Sequence, residues 1–368
     1  MTLFVCLLSL LQFLSGSDDI TLLFAGDAMQ HDRQINAAYR DGGYDYSDCF
    51  RHVESYISEA DYSVVNLECT LGGKPYRGYP CFSAPDSYAL ALKNSGFDLF
   101  LHANNHCLDR RDAGLVRTLD VFDRFGIPHI GTYRNRVEQK SNTPFIATVK
   151  GVKIAFLNYT YGTNGIKVQK DAVVNYIDKD AIAREIKAAR LNGAELVVAC
   201  MHWGVEYKLL PNKEQQQLAD FLEGQGVDLI IGGHPHVVQP MEIRRNRKTG
   251  KDVLVVYSLG NFISAMQTAD TRGGAMVKVR IGRTVDGKPY LKGAAYKLVF
   301  VQPPLKKGNY ELIPTDREDL LRSDSKSNFN KFVSNAKNLF AGNNKGVEED
   351  KWYPALEISP FFSEQDAL

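Results

Sequence analysis

Residues 228–242 read DLIIGGHPHVVQPME, and this stretch decides the fold class. Its first residues are aliphatic and β-branched, a composition that predicts a short buried strand. Two glycines and a proline then end the strand, and they flank His234 and His236. A strand followed at once by a glycine turn with polar side chains is typical of α/β sheets, in which ligand sites form beyond the carboxyl ends of the strands.

The same arrangement recurs along the chain. Further apolar runs of strand length occur at 21–25, 62–65, 98–101, 153–157, 195–200 and 253–257. Amphipathic segments predicted as helices lie between some of them, at 112–125, 180–192 and 213–223. The alternation of strands and helices predicts an α/β architecture with layered sheets and helices.

Side chains that can bind a metal follow five of the predicted strands. They are Asp27, Glu68, Asn105 with His106, His202, and His234 with His236. Carboxylate, amide and imidazole groups together form the mixed oxygen and nitrogen set that suits divalent transition metals. None of them has the local spacing of a zinc finger, which disfavours a structural zinc site. The pattern therefore predicts an open, catalytic metal centre.

Six sequence strings in chain order carry a resemblance to a known family. They are GDAM (26–29), VVNLE (64–68), NNHCLD (104–109), HWGVEY (202–207), GGHPHVVQPME (232–242) and YSLGNF (257–262). Over residues 20–300 the chain resembles the CapA family, bacterial capsule-synthesis proteins linked to poly-γ-glutamate and a branch of the calcineurin-like metallophosphoesterases. The resemblance implies a layered α-β-β-α sandwich of the metallo-dependent phosphatase type with a C-terminal extension.

The resemblance also implies a role for each residue at the strand ends. The implied metal ligands are Asp27 and His236 for a first ion, Asn105, His202 and His234 for a second, and Glu68 as a carboxylate between the two. The implied cofactors are two divalent ions, of Mn, Fe or Zn. His106 would face the leaving group of the substrate instead of a metal.

One position departs from the wider superfamily, which begins with Asp-x-His. Here the third residue is Met29, and methionine is a poor ligand for a hard, oxygen-rich centre. His31 either replaces the missing imidazole or is a surface loop histidine. Without it, the first metal site would be weak and the centre would hold a single ion. Glu68 in place of an aspartate adds one methylene.

Four further residues have two interpretations each. Asp109 is either a carboxylate that orients the catalytic His106 or an acidic charge at the start of the next helix. Glu206 and Tyr207 either bind substrate or simply pack after their strand. Asn261 is either a turn-stabilising amide or a substrate-binding group.

The charge balance of the chain limits the classes of partner that it can bind. With 44 basic and 43 acidic residues the formal net charge is +1, which argues against a nucleic-acid partner held by bulk electrostatics. The basic run at 244–248 is either a solvated hairpin tip or a dock for an anionic polymer. Six scattered cysteines in 368 residues do not make a disulfide scaffold, although a single Cys69–Cys81 bond is compatible with export.

The two ends of the chain differ from its middle. Residues 1–17 are apolar and then small, which predicts a signal peptide and export to the cell envelope or periplasm. The alternative is a buried first strand or helix of a cytoplasmic protein. Residues 18–302 would form the CapA-like metallophosphoesterase domain, and the polar, turn-rich residues 303–368 an extension packed on it.

The resulting hypothesis is a metal-dependent hydrolase of the phosphoesterase type, acting in the biosynthesis of a capsule, poly-γ-glutamate or another envelope polymer. Its substrate would be an anionic polymer or a phosphoester, and envelope or capsule assembly proteins would be its partners. Two alternatives are a polymer-binding assembly or export factor without catalysis, and an amide hydrolase that uses the same metal centre.

Overall fold

The structure is a computed structural model that describes residues 19–305 and 308–350. The predicted signal peptide at 1–17 lies outside these ranges. None of the helices within them combines the length and the apolar character needed to cross a bilayer.

Nineteen strands and eight α-helices make up the described ranges. The strands are β1 (Ile20–Ala28), β2 (Tyr39–Arg40), β3 (Gly43–Tyr44), β4 (Tyr62–Leu67), β5 (Leu99–Leu101), β6 (His129–Ile130), β7 (Thr132–Tyr133), β8 (Phe145–Val149), β9 (Val152–Thr160), β10 (Val173–Val174), β11 (Leu196–His202), β12 (Leu229–Gly233), β13 (Met241–Arg245), β14 (Asp252–Val256), β15 (Asn261–Ile263), β16 (Gly273–Arg283), β17 (Pro289–Gln302), β18 (Glu311–Pro314) and β19 (Val347–Glu349). The helices are α1 (Asp32–Ala38), α2 (Glu54–Ser58), α3 (Asp86–Asn94), α4 (Arg111–Phe125), α5 (Arg136–Asn142), α6 (Lys179–Leu191), α7 (Lys213–Gly224) and α8 (Lys326–Asn343).

Two large mixed sheets organise these strands. The first has the order β18-β17-β16-β1-β4-β5-β6, with β15 paired to β1 and β19 to β17. The second has the order β13-β14-β12-β11-β9-β8. In the first sheet β1, β4, β5 and β6 run parallel, and in the second β9, β11, β12 and β14 do. The first sheet therefore has antiparallel strands on the β16 side and ends in the parallel strand β6, whereas the second sheet has a parallel centre and an antiparallel strand at each edge.

The sheets pack face to face because successive side chains of a strand point to opposite faces. In β1, Leu22 and Phe24 lie in the hydrophobic cluster shared by both sheets, whereas Leu23 lies in the cluster under the helices. In β11, Val198 faces the other sheet and Val197 faces outward. Near-continuous apolar runs are what strands buried on both faces require.

Helices cover the outer face of each sheet. Leu115 and Phe122 of α4 pack on the first sheet, and Ile182 and Ile186 of α6 pack on the second. The α4 helix ends at Gly126, whose left-handed φ of 59° suits a residue without a Cβ. The layers are therefore α-β-β-α, as the family resemblance implied.

The segment after residue 302 completes the first sheet and the core between the sheets. Strand β18 pairs antiparallel with β17, and β19 pairs with the same strand. Phe329, Phe332 and Phe340 of α8 are buried in the cluster between the sheets. The long hairpin of β16 and β17 was missing from the sequence prediction, because its alternation of small, charged and apolar residues is interrupted by a bulge at Arg280 and Ile281.

Candidate metal centre

The side chains predicted from the strand ends meet in one place. Asp27 is near the end of β1, and Glu68 directly follows β4. His202 is the last residue of β11, and His234 and His236 follow β12. Since the parallel centres of both sheets deliver their carboxyl ends to the same edge of the sandwich, the centre is built from both sheets.

Close backbone approach explains the glycines in these turns. A Cβ on Gly26 would lie 2.0 Å from the carbonyl oxygen of Gly260, and one on Gly233 would lie 2.8 Å from Asp27 Oδ1. His234 and His236 adopt φ values of 96° and 58°, which are unfavourable for residues with a side chain. Such conformations are kept where the surrounding structure enforces them, commonly at functional sites.

Asp27, Glu68 and His236 form a first group whose ligand atoms all lie within 4.8 Å of one another. His236 Nδ1 lies 3.4 Å from Asp27 Oδ2, and His236 Nε2 lies 3.7 Å from Glu68 Oε1. All three side chains are buried. The group has the composition and spacing of a divalent-metal site.

Glu68, His202 and His234 form a second group at the same spacing. His202 Nε2 lies 3.6 Å from Glu68 Oε1 and 2.7 Å from the amide oxygen of Asn105. The amide oxygen of Asn105 and the Nε2 nitrogen of His202 are thus directed at the same position. Glu68 belongs to both groups, which is the arrangement that the family resemblance implies for a carboxylate between two ions.

Two buried atoms in these groups have no partner within the described ranges. Glu68 Oε1 and His234 Nδ1 make no hydrogen bond. Burial, and then the charge of Asp27, raises the pKa of Glu68 well above its usual value. A buried carboxylate beside a second carboxylate is costly without a cation, so the residues present fit a divalent ion.

The electrostatics of the histidines agree with that fit. Burial, and then the neighbouring His234, lowers the pKa of His202 well below its usual value. Burial lowers the pKa of His234 to about 3. Both rings are therefore neutral at physiological pH, which leaves a nitrogen lone pair on each for a metal.

Asn66 is a member of the site that the sequence prediction missed. Its amide nitrogen donates to Asp27 Oδ1 at 2.8 Å. Burial would raise the pKa of Asp27, but hydrogen bonds from His236 and Asn66 and the charges of His202 and His236 hold it below its usual value. The signal was in VVNLE: Asn66 and Glu68 are two residues apart, so they share a face at the end of their strand.

His106 and Asp109 form a buried pair beside the metal groups. His106 Nδ1 lies 2.7 Å from Asp109 Oδ2, which also accepts from the backbone N–H of Phe82 at 2.8 Å. Burial raises the pKa of Asp109 above its usual value, against the opposing effect of His106. Because Nδ1 is engaged, the other nitrogen of His106 is the one left to meet a substrate.

Met29 and His31 occupy different environments. The Met29 side chain is buried in the hydrophobic cluster under the helices of the first sheet, away from the ligand groups. His31 belongs to none of the three candidate metal groups found in the described ranges. Its Nδ1 contacts Gln34 Oε1 at 3.2 Å and the N–H of Ala265 at 3.3 Å. Its role as a ligand stays a prediction.

Asn164 is a second residue that the sequence prediction missed. It has a left-handed φ of 50°, and its Oδ1 accepts from Asn105 Nδ2 at 3.2 Å. That bond fixes which end of the Asn105 amide faces His202. The Asn164-Gly165 pair signals a tight turn, but nothing local to it shows what the side chain contacts.

The predicted substrate-binding residues divide into two kinds. Glu206 lies with His234 and His236 in a third group of ligand spacing, and the exposed Tyr207 has its ring 6.2 Å from that of His236. Asn261 is fully buried. It is bonded through Oδ1 to His236 Nδ1 at 3.0 Å and through Nδ2 to the Thr271 carbonyl at 2.9 Å. These two hydrogen bonds occupy both ends of the Asn261 amide, so neither end is left for a substrate, and they orient the His236 ring.

Part of the basic run at 244–248 is engaged in ion pairs, and no bond joins Cys69 and Cys81. Arg244, in the basic run at 244–248, pairs with Asp220 at 2.8 Å and Glu242 at 2.7 Å, so its charge is already compensated. Cys69 and Cys81 are both free thiols.

Comparison with known proteins places this chain in a family. Residues 21–266 match the family described as bacterial capsule synthesis protein PGA_cap. The chain is 28% identical over 278 residues to the capsule biosynthesis protein CapA of Bacillus anthracis, covering 72% of this chain and 64% of that protein. It is 29% identical over 279 residues to the PGA biosynthesis protein CapA of Bacillus subtilis, covering 74% and 70%. It thus spans less than two thirds of the length of the Bacillus anthracis relative.

Solved structures share the fold. The NAD nucleotidase of Haemophilus influenzae superposes with a TM-score of 0.50 at 14% identity, over 90% of this chain and 64% of that one. A candidate 5′-nucleotidase from Staphylococcus aureus, in complex with alpha-ketoglutarate, gives 0.51 at 13% identity, over 86% and 58%. At these identities the likeness concerns the fold alone, which is of the metallo-dependent phosphatase type.

Proposed function

The chain belongs to the bacterial capsule synthesis protein PGA_cap family, and from this we propose that it is a metal-dependent phosphoester hydrolase acting in the biosynthesis of a capsule, poly-γ-glutamate or another cell-envelope polymer. The observation that carries the proposal is the position of Glu68. Its unpartnered Oε1 lies 3.6 Å from His202 Nε2 and 3.7 Å from His236 Nε2, between two groups of ligand spacing.

Each group would hold one divalent ion of Mn, Fe or Zn. Asp27, Glu68 and His236 would bind the first, and Glu68, Asn105, His202 and His234 the second. When bound, such a pair of ions would lower the pKa of a water molecule and would stabilise the negative charge on the oxygens of the attacked group. His31 would join the first ion only if its ring turned away from Gln34.

The chain itself supplies orientation and a proton. His106, held through Nδ1 by Asp109, presents Nε2 to the leaving oxygen and donates a proton to it. Asp109 stabilises the protonated ring and fixes its tautomer, as a carboxylate behind a catalytic imidazole does. Asn105, anchored by Asn164, keeps its amide oxygen on the side of the second ion.

The cellular role follows from the relatives. Proteins named for capsule and PGA biosynthesis support a location at the cell envelope. A signal peptide at 1–17 and envelope assembly proteins as partners complete the proposal. The electrostatics favour a phosphoester substrate over a long anionic polymer. The net charge is +1, and Arg244 of the basic run is already paired with carboxylates.

Metal content and hydrolysis of bis(p-nitrophenyl) phosphate test the proposal. Wild type is expected to retain up to two equivalents of metal and to hydrolyse the ester. His236→Ala is expected to lose metal and activity, whereas His106→Ala loses activity and keeps metal. His52→Ala is the matched control, because His52 lies outside the candidate metal groups and contacts the neighbouring Arg51.

Two outcomes would contradict the proposal. Activity that survives both site substitutions would place the chemistry elsewhere. Metal-loaded protein that shortens poly-γ-glutamate, or retains it in a pull-down, while cleaving no phosphoester would favour the amide hydrolase or the polymer-binding factor.

A further inference from the structure

Three exposed tyrosines surround the histidines of the metal centre. The Tyr161 ring lies 4.5 Å from that of His234 and 6.4 Å, nearly parallel, from that of His202. The Tyr207 ring lies 6.2 Å from that of His236. The Tyr79 ring lies 6.5 Å from that of His106.

The tyrosines come from separate loops and share one opening. Tyr79 lies between β4 and α3, Tyr161 directly follows β9, and Tyr207 lies in the turn after β11. Burial, and then the charge of Glu206, raises the pKa of Tyr207 to about 12, and Tyr79 contributes to the same shift. Tyr79 and Tyr207, far apart in sequence, thus both lie beside histidines of the same site.

Packing does not explain these side chains. Tyr79, Tyr161 and Tyr207 are 71%, 47% and 54% exposed. Tyr207 also has a left-handed φ of 64°, held by a bond from its N–H to the Pro235 carbonyl at 2.8 Å. A strained backbone that presents an aromatic ring to solvent beside a metal site indicates a binding role.

The chemistry of the opening favours a particular ligand. Aromatic faces attract the apolar face of a ring, and a carboxylate between them accepts hydrogen bonds from hydroxyl groups. Glu206 supplies that carboxylate, since it lies within ligand distance of His234 and His236, the two rings that Tyr161 and Tyr207 approach. Rings that combine a face of C–H groups with several hydroxyl groups are saccharides. The carboxylate of Glu206 at this position would repel a polyanion that ran past the tyrosines.

We propose that Tyr79, Tyr161, Tyr207 and Glu206 form a subsite for a saccharide ring, so that the substrate is the phosphoester of a sugar instead of a ring-free alcohol. This inference rests on the proposed phosphoester hydrolysis for its catalytic consequence. The ring would stack on the tyrosines while its phosphoryl group lies over the two ligand groups that share Glu68.

Competing substrates test the subsite. For wild type, kcat/KM is expected to be about ten-fold higher for glucose 1-phosphate than for glycerol 3-phosphate. In Tyr161→Ala and Tyr207→Ala this ratio should fall roughly three- to ten-fold, mainly through KM, because one aromatic contact is lost. Tyr161→Phe, which keeps the ring, should retain the wild-type ratio. Tyr290→Ala is the matched control, since Tyr290 is 40% exposed on β17 and contacts Gly282 instead of the site.

Equilibrium binding separates this inference from the proposed function. If no phosphoester is hydrolysed, the proposed function fails, and dialysis of glucose 1-phosphate against the manganese-loaded protein still decides the subsite. Preference for glucose 1-phosphate over glycerol 3-phosphate that disappears in Tyr161→Ala supports it. Equal binding of the two ligands, or a ratio unaffected by all tyrosine substitutions, would overturn it.

Discussion

Replacement of Glu68 by glutamine is expected to stabilise the metal-free protein and to weaken the metal-loaded one. The side chain is fully buried, its Oε1 has no hydrogen-bond donor within the described ranges, and the carboxylate of Asp27 is close enough to raise its pKa. Glutamine keeps the shape, removes the negative charge and offers N–H donors to the imidazoles. Without a metal the substitution therefore relieves an unfavourable burial, whereas with a metal it removes a shared ligand.

The magnitudes follow from these two effects. Relief of one unsatisfied buried polar group is worth about 1–3 kcal/mol in the metal-free protein. For a metal at a hundred times its Kd, binding stabilises the folded state by about 2.7 kcal/mol. A hundred-fold loss of affinity would reduce this term to about 0.4 kcal/mol. The metal-induced rise in Tm should then shrink by roughly 3 °C for a chain of this size.

Thermal unfolding at pH 8, with EDTA or with excess manganese, measures both effects. Glu185→Gln is the matched control, because Glu185 is a buried carboxylate on α6 that belongs to no candidate metal group in the described ranges. It should raise the stability of the metal-free protein and leave the metal-induced shift intact. A Glu68→Gln protein that is less stable without metal, or that keeps the full metal-induced shift, would refute the assignment of Glu68 as the shared ligand.

Three further predictions concern single residues. Burial raises the pKa of Glu185 to about 7 from a usual value of 4.5, so its contribution to stability is full below pH 4.5 and is lost as the pH rises through 7. Glu185→Gln should remove this pH dependence of the free energy of unfolding, which is worth about 3 kcal/mol at pH 8. If denaturation curves change equally between pH 5 and pH 8 in both proteins, the prediction is contradicted. Asn164→Ala should lower metal affinity about ten-fold in calorimetric titration, because it releases the Asn105 amide. Asn192→Ala, at an exposed asparagine, is the control. An unchanged Kd in Asn164→Ala would show that Asn105 is held without Asn164. Asp109→Asn should lower kcat for bis(p-nitrophenyl) phosphate about a hundred-fold with KM and metal content nearly unchanged, and wild-type kcat would remove Asp109 from the role of orienting His106.

Local patterns in the sequence predicted the fold class and the membership of the metal groups. An apolar strand such as 228–231 followed by a glycine turn is recognisable within a few residues, and so is the polar side chain that the turn presents. Once the strands are taken as parallel, their carboxyl ends must meet. For this reason Asp27, Glu68 and His234 could be grouped although they lie in distant parts of the chain.

The antiparallel part of the fold was harder to predict. Strands β16 to β18 contain few of the carboxylate, amide and imidazole side chains that mark the ends of the parallel strands. Helix α8 contributes Phe329 and Phe340 to the core between the sheets, where they pack on the strands of the β16–β17 hairpin. Long-range pairing of this kind depends on register and on a bulge, and neither has a strong local signal.

The sequence by itself determined the fold class and the types of ligand that the strand ends present, since strand ends and glycine turns are local and the ligand types are read from the residues there. Only the tertiary structure decided how each side chain is used. It placed the Met29 side chain in the hydrophobic core, and it formed the hydrogen bonds of Asn66 with Asp27 and of Asn164 with Asn105. It also set Asn261 behind His236 and gathered three tyrosines from separate loops around the histidines. These contacts join residues far apart in the chain, and side-chain direction is fixed by packing against those distant partners instead of by neighbours in sequence.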